Sequence, residues 1–139
     1  MRRLVIGVDA AGRSCVVEET AFSTPSTAPP MELIHQTGAS PPPVRPPGIG
    51  AHLDLGVPPG IARWMMVQFQ PGQRSQVHHT DTIDFDTIIF GDVDILLDDG
   101  PHHLEPGDCL LVPGIDHAWL AGPYGCTSSV VVIGTQPRI

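Results

Sequence analysis

The sequence contains no lysine, and its seven basic residues, all arginine, stand against fifteen acidic ones. The formal net charge is −8 at pH 7. Nucleic acids and anionic membrane surfaces both attract clusters of positive charge, so this composition argues against either as a partner. Seven of the acids lie between Asp81 and Asp99. Such a concentration attracts cations, including a metal ion, but solvated strand faces and turns produce the same pattern.

Cysteine and long apolar runs are also scarce. The three cysteines, Cys15, Cys109 and Cys126, are odd in number and widely spaced, so they predict neither a disulfide framework nor a zinc knuckle. We expect buried thiols in a reducing cytosol. The apolar run after Arg2 and Arg3 is too short for a signal peptide. No segment approaches the ~20 apolar residues of a membrane span, so we expect a cytoplasmic protein.

The length of 139 residues fits one domain. Eight prolines lie between Thr24 and Pro47, which excludes helix there and favours extended chain. We divide the chain into an arm at 1–50, with strands near 3–8 and 14–19, and a β-barrel domain at 51–139. Open barrels leave strand edges that must be covered. An arm that adds a strand to a partner's sheet predicts a homodimer, and folding back onto its own barrel is the alternative.

From residue 50 onward, short apolar runs alternate with glycine, proline and aspartate, which is the pattern of sandwiches and barrels. The runs are Arg63–Gln70, Thr82–Phe90, Val93–Leu97, Asp108–Val112 and Ser129–Ile133. The turns between and within them include Phe90-Gly91-Asp92, Asp99-Gly100-Pro101 and Gly122-Pro123. Asp99-Gly100 is a strong hairpin signal because both residues tolerate positive φ. The sequence predicts an all-β fold.

The polar residues of greatest interest lie between Gly72 and Asp84. Alternate residues of a strand share a face, so one face of a regular strand here carries His78, Thr80, Thr82 and Asp84. His79 and Asp81 fall on the opposite face. A second polar element, Gly107–Trp119, follows about 30 residues later and contains His117.

Together the two elements resemble the motifs of the cupin superfamily. The first cupin motif is a glycine, five residues, His-x-His, a short gap, Glu, six residues and a glycine, and the second is a glycine, a strand, a turn and a His. The matching residues are Gly72, His78, Asp84 and Gly91 in the first motif and Gly107, Gly114 and His117 in the second. His78–Phe85 is also similar to a cupin subgroup that reads His-x-Thr-Asp-Thr-Ile-Asp-Tyr. The resemblance covers roughly residues 60–135, and it implies a double-stranded β-helix (jelly-roll) barrel, commonly dimeric.

Two departures from the motif affect the site, because Thr80 replaces the second histidine and Asp84 replaces the glutamate. The resemblance leaves His78, Asp84 and His117 as ligands of a divalent metal, with Fe, Mn, Zn and Ni all fitting two imidazoles and a carboxylate. Thr80 would orient a bound water. If the shorter Asp84 stops short of the metal, it would accept a hydrogen bond from a histidine or act as a general acid/base. The alternative is a barrel that has lost its metal and keeps a polar pocket.

Four further residues are pocket candidates. Arg63 is the one basic residue on a predicted barrel strand and would pair with a carboxylate substrate. His52 would cap the pocket mouth. Trp119 is either a pocket or a core residue, and Asp86 either lines the pocket or lies on the strand surface.

The resemblance implies a cupin-type enzyme acting on a small oxygenated organic molecule, as in secondary metabolism. Decarboxylation, dehydration, isomerisation and cyclisation all fit, with Asp84 or a metal-bound water moving a proton. An Fe(II)-dependent oxygenase or oxidoreductase is the second hypothesis. The third is a non-catalytic barrel that binds a small molecule as a carrier or sensor, which the loss of a histidine at Thr80 favours.

Overall fold

Strands are the regular elements of the computed structural model, which describes residues 1–22, 31–37 and 49–137. They are β1 Arg2–Val8, β2 Ser14–Ala21, β3 Ala51–His52, β4 Ala62–Phe69, β5 His78–His79, β6 Thr82–Leu97, β7 Gly100–Leu104, β8 Cys109–Pro113 and β9 Ala118–Gly134. The all-β prediction is confirmed. In the described ranges no helix is long and apolar enough to cross a membrane. Except for 31–37, the proline-rich segment lies outside the described residues.

Two long antiparallel strands, β6 and β9, form the centre of the main sheet. Its strand order is β2-β1-β8-β6-β9-β4, with β7 paired to β6 alongside, and β3 and β5 form a separate two-stranded sheet. The register of β6 and β9 runs from Thr82 opposite Gly134 to Leu96 opposite Ala118. β6 also pairs with β8 over its first part and with β7 over its last part. The main sheet has end strands β2 and β4, so the strands described here form no closed barrel.

Both central strands continue through segments where the sequence predicts turns. The predictions of chain-reversing turns at Phe90-Gly91-Asp92 and Gly122-Pro123 are wrong, because β6 and β9 pass through them with register shifts beside Gly91. Gly91 has φ 69°. A Cβ built on it would lie 1.9 Å from the carbonyl oxygen of Gly125. Glycine at this position therefore lets the two backbones approach each other at the bend.

The predicted hairpin after β6 is confirmed, but its loop lies one residue earlier than expected. Leu97 pairs with Gly100, so Asp98 and Asp99 are the two loop residues. Gly100 alone has positive φ there, at 117°, and it follows the loop instead of forming it. The pairing of β6 with β7 continues from Gly100 to Leu104 without a register shift.

The predicted strands near 3–8 and 14–19 are confirmed as β1 and β2. They form an antiparallel hairpin, and β1 lies parallel to β8 of the same chain. Leu4 and Ile6 of β1 are almost fully buried in the hydrophobic core beside Leu110 of β8. The N-terminal strands thus contribute to the core. The domain boundary at residue 50 and the homodimer stay predictions.

We expect Gly91→Ala to destabilise the fold by more than about 3 kcal/mol, because it adds a steric clash to the cost of a left-handed alanine. Gly72→Ala is the matched control. Its φ of 68° is nearly the same, but a Cβ there would meet nothing within 4 Å. This control should lose only about 1–2 kcal/mol in urea unfolding. Equal losses in the two variants would show that the close approach of Gly91 to Gly125 contributes nothing.

Candidate functional site

A cavity of about 300 Å³ opens between the central strands and the segment after β3. It is lined by Leu53, Leu55, Met65, Val67, Phe69, Ser75, His78, Thr80, Asp84, Asp86, Ile88, Val93, His117, Trp119, Cys126, Ser128, Val130 and Val132. Most of these side chains are apolar, and Ile88 and Val93 also belong to the hydrophobic core. A small apolar cavity with a few convergent polar groups is the usual form of a small-molecule site.

The alternation of β5 and β6 brings the predicted polar residues to this cavity. His78, Thr80 and Asp84 all lie on its wall, as the period of two predicts. Thr82 is buried behind them at 3% exposure. Asp86, the next residue in the alternation, also lines the cavity and is 5% exposed. The same period extended by one step would have assigned Asp86 to the pocket.

A pair of backbone hydrogen bonds places His78 beside His117. Each residue's N–H donates to the other's carbonyl oxygen at 3.0 Å, and the two ring centroids are 4.4 Å apart. Nδ1 of His78 is 2.9 Å from the carbonyl oxygen of Gln76, and Nδ1 of His117 is 2.7 Å from that of Ile115. A carbonyl only accepts, so Nδ1 donates in both rings. In the neutral imidazoles Nε2 is therefore the acceptor nitrogen.

Burial keeps His117 neutral. The low-polarity surroundings, and then the proximity of His78, lower the pKa of His117 to about 4. Its imidazole is thus uncharged near neutral pH and offers a lone pair.

Two carboxyl groups lie on the same face of β6, that of Asp84 partly buried and that of Asp86 buried. Burial raises the pKa of Asp84 to about 6, and the hydrogen bond from Thr82 opposes this effect. Burial and the neighbouring Asp84 raise the pKa of Asp86 well above its usual value. One oxygen of Asp86, Oδ1, is buried without a hydrogen-bond partner. Carboxyl groups with such raised pKa values in a cavity are candidates for proton transfer.

A short chain of hydroxyl groups leads to Asp84. The Thr82 hydroxyl donates to Oδ1 of Asp84 at 2.6 Å. Oγ1 of Thr80 lies 2.8 Å from Oγ1 of Thr82, so with the Thr82 proton given to Asp84, the Thr80 hydroxyl donates to Thr82. Thr80 therefore orients the Thr82 hydroxyl, which in turn orients the Asp84 carboxyl.

The described side chains do not fit a resident metal ion as they are arranged here. Among residues 1–22, 31–37 and 49–137, no group of three His, Cys, Asp or Glu side chains could hold one. His78 and His117 offer two Nε2 lone pairs, but Asp84 does not complete a third position with them. The ligand roles of His78, Asp84 and His117 stay predictions.

Two of the further pocket candidates do not lie on the cavity wall. Arg63 is exposed, and its guanidinium donates to the carbonyl oxygens of Leu55 and Gly56 at 2.9 and 3.3 Å. By the alternation it shares the face of Met65, but it lies near the start of β4, where these two carbonyl oxygens hold its guanidinium. His52 is exposed as well, and its Nε2 lies 2.9 Å from Oδ2 of Asp81. Its short strand presents this side chain to the far side of β5.

A second polar cluster, consisting of His52, His79, Asp81 and Asp116, lies on that far side. Nδ1 of His79 is 2.9 Å from Oδ1 of Asp116. Oδ2 of Asp116 accepts the backbone N–H of Ile49 and of Gly50 at 2.7 and 3.0 Å. The cluster holds the segment around β3 against β5, next to the residues that line the cavity.

Trp119 lies on the cavity wall, where it packs against other rings. Its ring centroid is 6.3 Å from that of Phe69, and it meets His117 edge-on at 5.6 Å. Trp119 thus lines the cavity and also packs against neighbouring rings.

Comparison with known proteins gives two curated relatives and a set of solved structures. No family model matches the chain. Phomopsin biosynthesis cluster proteins C' and D from Diaporthe leptostromiformis are each 34% identical over 71 residues. The match covers 47% of this chain and 38% of each relative, so the chain spans well under half the length of these relatives.

The similar solved structures include cupins. A sugar phosphate isomerase from Silicibacter pomeroyi is 22% identical, with a TM-score of 0.45, over 53% of this chain and 51% of its own. A protein from Desulfitobacterium hafniense is 19% identical, with a TM-score of 0.44, over 54% and 79%. KdgF from Halomonas sp. is 16% identical, with a TM-score of 0.45, over 60% and 76%.

The first two proteins are cupins by name. Each of these two matches covers about half of this chain. At these identities they do not bear on the reaction. The subgroup suggested by His78–Phe85 stays a prediction.

The raised pKa of Asp84 and the lowered pKa of His117 act on stability with opposite signs. The Asp84 contribution is present below its unfolded pKa near 4 and is lost as pH rises through about 6. The His117 contribution is present above about 6.5 and is lost as pH falls through about 4. In Asp84→Asn we expect the free energy of unfolding to rise more between pH 4 and 6.5 than it does in the wild type. The difference between the two rises should be on the order of 2 kcal/mol.

Urea unfolding at several pH values within this window measures the effect. Glu32→Gln removes an exposed carboxyl and is the control, with an unchanged slope. The opposite substitution, His117→Asn, should make stability fall with pH. A wild-type slope retained in both cavity variants would refute the assignment of the two groups.

Proposed function

We propose that this chain is a cupin-type small-molecule enzyme in which Asp84 transfers a proton to or from a substrate held in the cavity. The observation that carries the proposal is the burial of the Asp84 carboxyl on the cavity wall, with a pKa of about 6. A carboxyl that titrates near the working pH donates and accepts protons with comparable ease. Dehydration, isomerisation, cyclisation and decarboxylation each need such a step.

The surroundings of Asp84 suit this role. The hydroxyl of Thr82 fixes one carboxyl oxygen at 2.6 Å, which orients the group without an opposing charge. Apolar side chains that line the same cavity, including Met65 and Val67, exclude water from the reacting atoms. His117 is neutral and accepts a hydrogen bond from the substrate through Nε2.

The curated relatives support a place in secondary metabolism. Both are named as proteins of the phomopsin biosynthesis cluster. The name gives a biosynthetic setting and no reaction. We extend the setting, and not any particular substrate, to this chain.

Deuterium exchange tests the proton transfer with a panel of probe compounds in place of the natural substrate. The purified protein is incubated in D₂O with small enolisable ketones and aldehydes that bear neutral, amino or carboxylate substituents. NMR then follows the loss of the α-proton signal. We expect wild-type protein to accelerate exchange in at least one compound, and Asp84→Asn to slow it by about 10²–10⁴-fold.

Two further variants sharpen this test. Glu32→Gln should exchange at the wild-type rate. Thr82→Val removes the hydrogen bond that lowers the pKa of Asp84, so the pH at which exchange is half-maximal should move to a higher value. Acceleration that survives unchanged in Asp84→Asn would rule out this residue as the proton-transferring group.

A metal-dependent enzyme, including an Fe(II) oxygenase, is the second candidate, and the acceptor nitrogens of His78 and His117 favour it. The arrangement of ligands leads us to expect less than one metal ion per chain after loading with Fe²⁺, Mn²⁺, Zn²⁺ or Ni²⁺ and dialysis. One ion per chain in the wild type that is lost in His78→Ala would favour the metal-dependent candidate. Oxygen uptake by the iron-loaded protein would favour the oxygenase. Binding without exchange or uptake would favour a carrier or sensor.

A further inference from the structure

The cavity presents two carboxyl groups and further hydrogen-bond acceptors without a positive partner. Asp84 and Asp86 both line it, and none of the described lining residues is an arginine. Neighbouring buried carboxyl groups normally have a cation or several N–H donors beside them. The hydroxyl of Thr82 is the donor that reaches Asp84.

Asp86 provides an independent sign of a missing partner. Its side chain is almost fully buried, and Oδ1 has no hydrogen-bond partner among the described atoms. Buried polar atoms are nearly always paired, and an unpaired one in a cavity wall points to a group that binds there. An ionised carboxylate offers only acceptors, so the group that pairs with it is a donor, and a positive charge beside it favours the ionised form.

The two histidines extend this acceptor surface. Because Nδ1 of His78 and of His117 faces a backbone carbonyl oxygen, Nε2 accepts in each neutral ring. The indole of Trp119, on the same wall, offers an aromatic face of the kind that attracts organic cations.

The arginines described in the structure are placed elsewhere. Arg2, Arg3 and Arg13 pair with Glu19, Glu18 and Asp9, respectively. Arg63 is not among the lining residues and donates to the carbonyl oxygens of Leu55 and Gly56, and Arg74 is exposed. A carboxylate or phosphate in the cavity would meet two carboxyl groups and no described cation.

We propose that the cavity binds an organic cation, namely an ammonium group on a small apolar body, with N–H donors directed to Asp86 and to the acceptors beside it. The proposal deepens the proposed function by naming its substrate class, and it rests on that function for the location of the site. A single metal ion is a poorer match, since no three of the described His, Cys, Asp and Glu side chains form a ligand group. An ammonium on an organic body reaches acceptors that are further apart.

Three probes of one shape test the charge preference. Benzylammonium, benzyl alcohol and benzoate share a ring and differ in their polar group. Binding to the full-length protein is measured at pH 7 by calorimetry, and amide and indole NMR shifts locate each probe beside Trp119. We expect benzylammonium to bind at least tenfold more tightly than either of the others.

Variants then separate charge recognition from folding. Asp86→Asn should bring the ratio of benzylammonium to benzyl alcohol affinity close to one, and the ratio is a quantity that general loosening of the fold does not shift. Glu32→Gln, which loses one exposed negative charge, should keep the wild-type ratio. Asp84→Asn is a second cavity variant in case Asp86→Asn fails to fold, and it should lower the ratio as well.

Several results would overturn the proposal: equal or tighter binding of benzoate, no binding of benzylammonium in the cavity, or a ratio that survives both aspartate substitutions. Stoichiometric Zn²⁺ binding that excludes benzylammonium would also overturn it, in favour of a metal. The proposed function fails by a separate result, namely proton exchange unaffected by Asp84→Asn. If benzylammonium binds but the protein accelerates no deuterium exchange, the cation site is supported and the proposed enzyme activity is rejected.

Discussion

The antiparallel pairing of β6 with β9 is the interaction on which the rest of the structure depends. The two strands are paired along almost their whole length, and every other strand of the main sheet except β2 and β1 pairs directly with one of them. The pairing bends where Gly91 approaches Gly125, because a side chain at Gly91 would overlap the backbone of β9. The cavity lies against the inner face of this bent pair, so its shape follows from backbone contact.

The pairing also explains why carboxyl groups can be buried here. Asp84 and Asp86 lie at the centre of a sheet, opposite Val132 and Val130 of β9. The inward side chains of a central strand cannot turn to the solvent, since the neighbouring strands fix the alternation. The cost of burying each carboxyl is met in part by protonation and, for Asp84, by the Thr82 hydroxyl. Oδ1 of Asp86 stays buried without a hydrogen-bond partner.

Much of this arrangement is predictable from strand alternation and turn chemistry. The period of two places His78, Thr80 and Asp84 on one face, and the spacing of the second motif brings His117 to them through a backbone bridge. The bends at Gly91 and Gly122 resemble turns in sequence because glycine marks both a reversal and a close approach of backbones. Arg63 has the same phase on β4 as Met65, which lines the cavity, but its guanidinium binds the carbonyl oxygens of Leu55 and Gly56, and no local pattern in the sequence reveals that contact.

The residues that line the site are mostly hydrogen-bond acceptors among its polar groups, and no arginine is among the described lining residues. Both facts determine which ligands the site can bind. His78, Asp84 and His117 match metal ligands when taken from a motif, because lone-pair donors are what a metal needs. The same lone pairs accept hydrogen bonds from N–H groups. Geometry separates the two cases, since a metal ion needs its ligands within one small sphere and an ammonium on an organic body does not. With Thr80 in place of an imidazole and Asp86 added one step along β6, the acceptors spread along the wall, and that distribution favours a polyatomic donor.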